Sequence, residues 1–324
     1  MRRIAILLCV ITCCFSFQRS YFWGFYAHQH INRLAIFTLP PELMPFYKEH
    51  LRYLVEHSVD PDQRRYAVAN EAPRHFIDLD NYGDSAVYKL PRYWKDAVEK
   101  IGEDSLMKHG IVLWHIQAMK YQLTKAFQEK DTWKILKLSA EMGHYIADSN
   151  VPLHTTSNYN GQKTNQVGIH AFWESRLPEL FAKHYDFFVG PAQYVESPSK
   201  RIWLNITQAN SCLDSVLLME KRLSRTTSEA QRYVIEEKNG QNVKTYARLY
   251  SQKYHQLLNN QVERQMRRSI KMIGDFWFTC WVDAGQPDLG TLKKEQESEE
   301  QVESNHKERL SWLQHLFMVR QEGD

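Results

Sequence analysis

The stretch that decides the fold is residues 131–154, DTWKILKLSAEMGHYIADSNVPLH. Apolar residues recur at intervals of three and four up to residue 150, which is the period of an amphipathic helix. Asp131 is a suitable N-cap for this helix, and Pro152 is suited to end it. His144 and Asp148 lie one turn apart on one face, and His154 follows the predicted helix end. The stretch therefore predicts a helix whose C-terminal end carries side chains that bind metal ions.

The same helical period runs through most of the chain after residue 23. Further helices are predicted over 41–57, 105–127, 169–184, 201–224 and about 243–282, whereas alternating strand-like runs are scarce. We therefore predict an all-α protein. Two long irregular segments, 58–90 and 150–168, contain aromatic residues, prolines and potential ligands, and loops of this length in compact proteins are commonly functional. We expect them to form the functional site.

The composition is that of a globular protein. Hydrophobic residues make up 43% of the chain and aromatic residues 13%, which is enough to bury a sizeable core. The 41 basic and 38 acidic residues give a formal net charge of +3. There is no general excess of positive charge that would by itself predict binding to nucleic acid, so the charge leaves the partner open.

The two ends of the chain differ from the part between them. Residues 1–22 are predicted to be a signal peptide, because Arg2 and Arg3 precede an apolar run that is too short to span a bilayer. No A-x-A-like cleavage site follows, so the cleavage point stays open. Residues 285–324 are rich in charge, and we interpret them as a solvated appendage without chemistry of its own. The segment 23–284 is the predicted main domain.

A signal peptide predicts export to the periplasm or the extracellular space, and we expect no transmembrane helix in the mature chain. Only Cys212 and Cys280 lie outside the predicted signal peptide. Export permits a disulfide between them, and two buried thiols are the alternative. We predict no stable protein partner.

Candidate metal ligands occur at helical spacing. His144 and Asp148 are four residues apart, as are His170 and Glu174, so each pair lies on one helix face and can bind one ion. Further candidates are His28, Asp60, Asp62, His75 and His154. Other histidines lack an ordered carboxylate pattern, and we expect them to be ordinary core or surface residues: His50, His57, His109, His115, His184, His255, His306 and His315.

The candidates form an ordered series from Trp23 to Glu174. It reads W-x(4)-H, then D, then H-F, then H-x(3)-D-x(5)-H, then H-x(3)-E. In this series the sequence resembles the zinc-dependent phospholipase C and S1/P1 nuclease superfamily, over roughly residues 23–284. The resemblance implies an all-helical catalytic domain over 23–284 with three zinc ions in a cleft.

The resemblance also implies a ligand set for each zinc ion. The first ion would be held by an aspartate of the DPD segment, His75, His144 and Asp148. Asp62 matches the phospholipase pattern and is favoured, whereas the spacing of Asp60 to His75 is closer to that of the nucleases. The second ion would be held by His154, His170 and Glu174. The third would be held by His28, by Asp148 as a bridge, and by the amino group and carbonyl of Trp23 if cleavage directly precedes it.

Such a site predicts hydrolysis of a phosphodiester. Zinc ions bridged by Asp148 can share a water molecule, lower its pKa and present hydroxide to phosphorus, which makes Asp148 the expected catalytic residue. Asn160 is a candidate donor to the substrate phosphate, although a turn-forming role is the alternative. Asp78 and Asp80 are expected to orient histidine N–H groups. No Ser or Cys triad motif is present.

The predicted function is an exported zinc-dependent phosphodiester hydrolase. Glu174 as the last ligand, the short gap from His154 to His170 and the PD motif favour a phospholipase C that acts on lipid headgroups. The W-x(4)-H spacing resembles the nucleases, so a single-strand nuclease is the alternative. A structural metal-binding envelope protein is a third hypothesis, but structural zinc sites are usually closed and rich in cysteine, and these candidates include no cysteine.

Overall fold

The structure is a computed structural model that describes residues 24–65, 68–83, 85–238, 241–290 and 292. The predicted signal peptide, Trp23 and all but the first residues of the 285–324 appendage lie outside the described residues. The predictions made for them therefore stay predictions.

The described residues form an all-α fold, as predicted, with one small hairpin added. The helices of the first half are α1 (Phe25–Ile36), α2 (Met44–Glu49), α3 (Leu51–Glu56), α4 (Asp60–Arg64), α5 (Ala86–Lys89), α6 (Trp94–Ile101), α7 (Glu103–His109), α8 (Val112–Glu129) and α9 (Thr132–Asp148). Those of the second half are α10 (Ile169–Ala171), α11 (Leu177–Phe181), α12 (Pro198–Asn210), α13 (Leu213–Arg225), α14 (Glu229–Arg232), α15 (Arg248–Leu257) and α16 (Gln261–Asp283). Strands β1 (Tyr233–Lys238) and β2 (Gln241–Tyr246) pair antiparallel, with Tyr233 opposite Tyr246.

Short turns of helix connect these elements. A π-helical turn, Phe172–Arg176, joins α10 to α11. The 3-10 turns are His57–Val59, Ala72–His75, Leu79–Tyr82, Pro152–Thr155 and Ala182–His184. Among the described residues no helix combines the length and the apolar character needed to cross a bilayer.

The prediction of one helix over 243–282 is wrong in part, because the helical conformation is interrupted twice in this range. Its first residues lie in β2, and α15 is separated from α16 at Asn259 and Asn260, whose φ angles are 48° and 58°. Asparagine tolerates this left-handed conformation better than most residues. The predicted helices 41–57, 105–127, 169–184 and 201–224 are also divided. At Gly110, between α7 and α8, φ is 89° and a Cβ would overlap the carbonyl oxygen of Phe76.

Helix α9 lies at the centre of the fold. It packs against α1, α3, α8 and α16, and every residue from Ser139 to Asp148 is buried. The indole of Trp277 in α16 donates a hydrogen bond to the carbonyl of Ser139 (3.1 Å) and stacks on Tyr47 with ring centroids 4.8 Å apart. The predicted cap is confirmed, because the Asp131 side chain accepts from the backbone N–H of Lys134 (2.9 Å). The C-terminal half of α9 is therefore buried on all sides, and so are the polar residues that it carries.

Close contact between α1 and α9 depends on Gly143. The Asn32 carboxamide lies against it and donates from Nδ2 to the carbonyl of His28 (3.1 Å). A Cβ on residue 143 would overlap Oδ1 of Asn32 and lie 2.8 Å from its Cγ. Glycine at this position thus lets α1 bring His28 next to His144.

We expect Gly143→Ala to push α1 away from α9 and to lower the free energy of unfolding by about 1–3 kcal/mol, as overpacking of a core does. Thermal unfolding measures the loss of stability. Gly290→Ala is the control, because that glycine is exposed and has ordinary φ. A Gly143→Ala variant as stable as the parent protein would contradict this account of the helix contact.

Candidate metal centre

Eight side chains from six parts of the fold converge beside the C-terminal end of α9. They come from α1, α4, α9, the two 3-10 turns that end at residues 75 and 155, and the segment from α10 through the π-helical turn. The residues are His28, Asp62, His75, His144, Asp148, His154, His170 and Glu174. They form three groups, within each of which the ligand atoms lie within 4.8 Å of one another: first Asp62, His75 and His144, second His154, His170 and Glu174, and third His28, His144 and Asp148. We call these eight residues the metal cluster.

The first group has the carboxylate of Asp148 beside it. His75 Nδ1 lies 2.9 Å from Asp148 Oδ2 and 3.1 Å from His144 Nε2, and His144 Nε2 lies 3.3 Å from the same oxygen. Asp62 Oδ1 completes the group at 3.7 Å from His75 Nδ1 and 3.6 Å from His144 Nε2. Ligands placed tetrahedrally about 2.0–2.1 Å from a zinc ion would be about 3.3 Å apart. The three donor atoms of Asp62, His75 and His144 fit one zinc ion at about these separations, and Asp148 Oδ2 lies beside two of them.

The other oxygen of Asp148 faces a different partner. Its Oδ1 lies 3.3 Å from His28 Nε2, and the His28 ring stacks on the His144 ring with centroids 4.0 Å apart. Because Oδ2 faces the first group and Oδ1 faces His28, the carboxylate of Asp148 joins two groups of ligands. This arrangement fits a carboxylate that bridges two cations.

The second group lies on the Glu174 side of the cluster. Glu174 Oε2 is 2.7 Å from His170 Nε2 and 3.5 Å from His154 Nε2, while its Oε1 is 3.5 Å from His28 Nε2. Residues 170 and 174 span the change from α10 to the π-helical turn, a feature that is frequent at functional sites. Glu174 therefore faces both the second group and His28.

Backbone carbonyls orient three of the histidine rings. Nδ1 of His144 donates to the carbonyl of Ser58 (2.9 Å), and Nδ1 of His154 donates to the carbonyl of His75 (2.6 Å). Nδ1 of His170 donates to the carbonyl of Tyr159 at 3.1 Å. Since a carbonyl only accepts, each Nδ1 carries a proton, and the neutral form of each ring presents its Nε2 lone pair to the cluster.

Burial and mutual contact shift the pKa values of the cluster. Burial opposes ionisation of Asp148 and Glu174, but the surrounding imidazoles outweigh it and hold the pKa of both carboxyls well below the usual range. Burial also opposes protonation of His28 and His154, but the same carboxylates raise their pKa to about 10 and about 9. Burial and the charge of His28 lower the pKa of His144.

The remaining candidates lie outside these groups. Asp60 turns away and pairs with His57 Nδ1 at 2.6 Å. Asn160 Oδ1 accepts from the backbone N–H of Gly168 (3.0 Å), which is the turn-forming role. Asp80 accepts from the backbone N–H of Ser157 (2.8 Å) and so orders the 150–168 loop, rather than a histidine of the cluster.

Two further expectations concern Asp78 and the two cysteines. Asp78 Oδ2 lies 3.9 Å from His109 Nδ1, a histidine outside the cluster, and burial together with Asp80 raises the pKa of Asp78 to about 7. Cys212 and Cys280 are both free thiols, with Cys280 buried.

The sequence did not predict the backbone carbonyls that orient the histidine rings of the cluster, because a backbone atom is the same in every residue type.

Comparison with protein families, rather than with individual proteins, identifies the family of this chain. Comparison with curated proteins returns no match. Residues 27–237 match the family described as zinc dependent phospholipase C, and the matched range contains the whole metal cluster. The match ends within β1, although α16, which follows it, packs against α1, α8 and α9. Because the match covers more than half of the chain, the protein belongs to the zinc dependent phospholipase C family of hydrolases, which act on phosphoester bonds.

Proposed function

We propose that the protein is an exported phospholipase C-like phosphodiester hydrolase that uses three zinc ions. The observation that carries the proposal is the position of Asp148, whose two oxygens face two different ligand groups. The imidazole and carboxylate donors of the cluster are the ones that zinc takes in catalytic sites. The signal peptide at residues 1–22 and export to the periplasm or beyond are part of this proposal.

The proposed ligands follow the three groups. The first zinc ion is assigned to Asp62, His75, His144 and Asp148, with Asp60 left out because it pairs with His57. The second zinc ion is assigned to His154, His170 and Glu174. The third is assigned to His28, to Asp148 as a bridge, and to the amino group and carbonyl of Trp23 in a chain that begins at that residue. The approach of Glu174 Oε1 to His28 supports a site at this place.

The residues of the cluster prepare it for phosphodiester hydrolysis. Zinc, when bound, polarises phosphoryl oxygens and lowers the pKa of water towards neutrality. Asp148, only 1% exposed, stays ionised and holds two ligand groups at a fixed separation. The two most exposed side chains of the cluster are those of His170 and Asp62, at 24% and 16%. A substrate would therefore reach the cluster beside these two residues.

The phospholipase C assignment is supported by the family match and by Glu174 as the last ligand. A single-strand nuclease is the second candidate, because Tyr159 is 37% exposed and its ring centroid lies 6.2 Å from that of His170. An exposed ring at that position can stack on a base. Phe172, another aromatic residue close in sequence to His170 that could be considered for this role, is fully buried and stacks on Tyr246.

Asp148→Asn should lower kcat/KM by about 100- to 1,000-fold or more, because an amide cannot join two cations as a carboxylate does. One preparation of the exported protein is assayed on phosphatidylcholine, single-stranded DNA, RNA and bis(p-nitrophenyl) phosphate, and its N-terminal residue and zinc content are measured. Hydrolysis of phosphatidylcholine supports the phospholipase assignment, and hydrolysis of nucleic acid alone supports the nuclease. Unchanged turnover in the variant would contradict the mechanism.

Asp62→Asn should reduce the zinc content and the activity, whereas Asp60→Asn should change neither by more than a few-fold. The two variants make the same chemical change two residues apart, and only Asp62 faces His75 and His144. Zinc per chain is measured by elemental analysis beside the rate. Equal losses in the two variants would contradict the assignment, and a larger loss in Asp60→Asn would reverse it.

Zinc binding should release up to about two protons per chain at pH 7.5, because zinc requires neutral imidazoles and the raised pKa values keep His28 and His154 protonated in chelator-treated protein. In the zinc-free protein, these protonated rings stabilise the fold. That contribution is fully present below pH 6.5 and is lost as the pH rises through about 9 to 10. Zinc affinity should therefore increase with pH over the same range.

Calorimetric titration in two buffers of different ionisation enthalpy measures the proton release. His28→Gln should reduce it by about one proton, and His184→Gln, at an exposed position, should leave it unchanged. Heats that do not depend on the buffer would contradict the protonation of these two rings.

A further inference from the structure

A second buried carboxylate, outside the metal cluster, lies directly behind His75. Glu71 precedes the 3-10 turn that carries His75, and no part of its side chain is exposed. Its Oε1 lies 3.6 Å from His75 Nε2, the nitrogen on the far side of the ring from the cluster. The same oxygen accepts a hydrogen bond from the hydroxyl of Tyr145. Glu71 thus contacts the imidazole from the side opposite Asp148.

Glu71 is held firmly in this place by two arginines. Its Oε2 accepts from Arg64 Nε (3.1 Å) and from Arg74 Nη1 (2.9 Å). Arg64 also donates from Nη1 to Glu141 Oε1 (2.6 Å), so two carboxylates share this buried guanidinium. A buried carboxylate with charged donors keeps its charge and a single orientation. The negative charge behind His75 is therefore fixed by the fold.

His75 differs from the other histidines of the cluster in the nitrogen that it presents. Nδ1 of His75 faces Asp148 Oδ2 at 2.9 Å, whereas His144, His154 and His170 present Nε2. An Nδ1 lone pair that is free to bind a cation requires the proton of the neutral ring on Nε2. His75 Nε2 has no hydrogen-bond partner among the described residues, and the oxygen that faces it is that of Glu71.

We propose that Glu71 is a positioning residue that holds the proton of His75 on Nε2 and thereby directs Nδ1 at the first zinc site. The inference rests on the zinc assignment of His75 proposed above. A separation of 3.6 Å is longer than a hydrogen bond, and a ring movement of roughly 0.5 Å closes it. Carboxylate partners of metal-binding histidines commonly act in this way, and their loss costs about 10- to 100-fold in metal affinity.

The test compares Glu71→Gln with Glu141→Gln. Both substitutions preserve shape, both remove a buried carboxylate from Arg64, and only Glu71 faces His75. A carboxamide has one acceptor oxygen, which serves either the arginines or His75. Zinc affinity is measured by competition with a chelator. The protonation of His75 is read from ring-nitrogen NMR of histidine-labelled protein, with His75→Gln used to assign its signals.

We expect Glu71→Gln to weaken zinc binding by about 10- to 100-fold. In zinc-free protein Asp148 Oδ2 competes for the proton at Nδ1, so the same substitution should move the His75 proton from Nε2 to Nδ1 in part of the molecules. Glu141→Gln should weaken binding by less than about threefold and leave the His75 signals unchanged, even if both variants lose similar thermal stability. Equal effects of the two variants on zinc affinity, or an unchanged Nε2 proton in Glu71→Gln, would overturn the role of Glu71.

The parent protein gives a test that does not depend on the folding of a variant. Loaded with zinc, it should show His75 bound through Nδ1 with the proton on Nε2. Binding through Nε2 would overturn the role of Glu71 and leave the zinc site intact. His75 signals that do not respond to zinc at all would overturn the assignment of this ligand as well, so the two failures are distinguishable.

Discussion

The rest of the site depends on the contacts between the buried carboxylate of Asp148 and the histidine rings around it. The carboxylate is 1% exposed and lies within 3.3 Å of ring nitrogens from His28, His75 and His144. An ionised carboxylate at this depth costs several kcal/mol unless cations or strong donors surround it. The fold supplies them by burying the end of α9 on all sides and bringing imidazoles from neighbouring elements. Core packing and metal binding are therefore properties of the same helix.

The part of this arrangement that could be predicted from the sequence is the part that local geometry determines. Residues four apart share a helix face wherever the helix lies, so His144 and Asp148 could be paired without knowing the fold. The N-cap at Asp131 is equally local. The ends of other helices are not. The break at Asn259 and Asn260 uses left-handed backbone that the apolar period does not report, and only packing decides whether the chain turns there.

Two features of the site could not be derived from local geometry, because tertiary position decides them, although the family resemblance favoured Asp62. Asp60 and Asp62 are two residues apart, so on a helix they point about 200° apart, and either one can face inward. The placement of α4 beside α9 turns Asp62 toward the cluster. Glu71 precedes His75 by four residues, a spacing that resembles the other pairs, but the two are joined through a 3-10 turn. Its arginine and tyrosine partners come from separate elements, which the sequence does not relate.

On the proposed assignment, charge within the cluster accounts for an anionic substrate. Three carboxylates, those of Asp62, Asp148 and Glu174, face histidines that bind zinc as neutral rings. Three divalent cations would leave a surplus of roughly three positive charges in a site that solvent screens poorly. A phosphodiester carries a single negative charge and needs no lysine or arginine to be attracted there. The nearly balanced charge of the whole chain is therefore no argument against such a substrate, because the attraction arises from the bound ions.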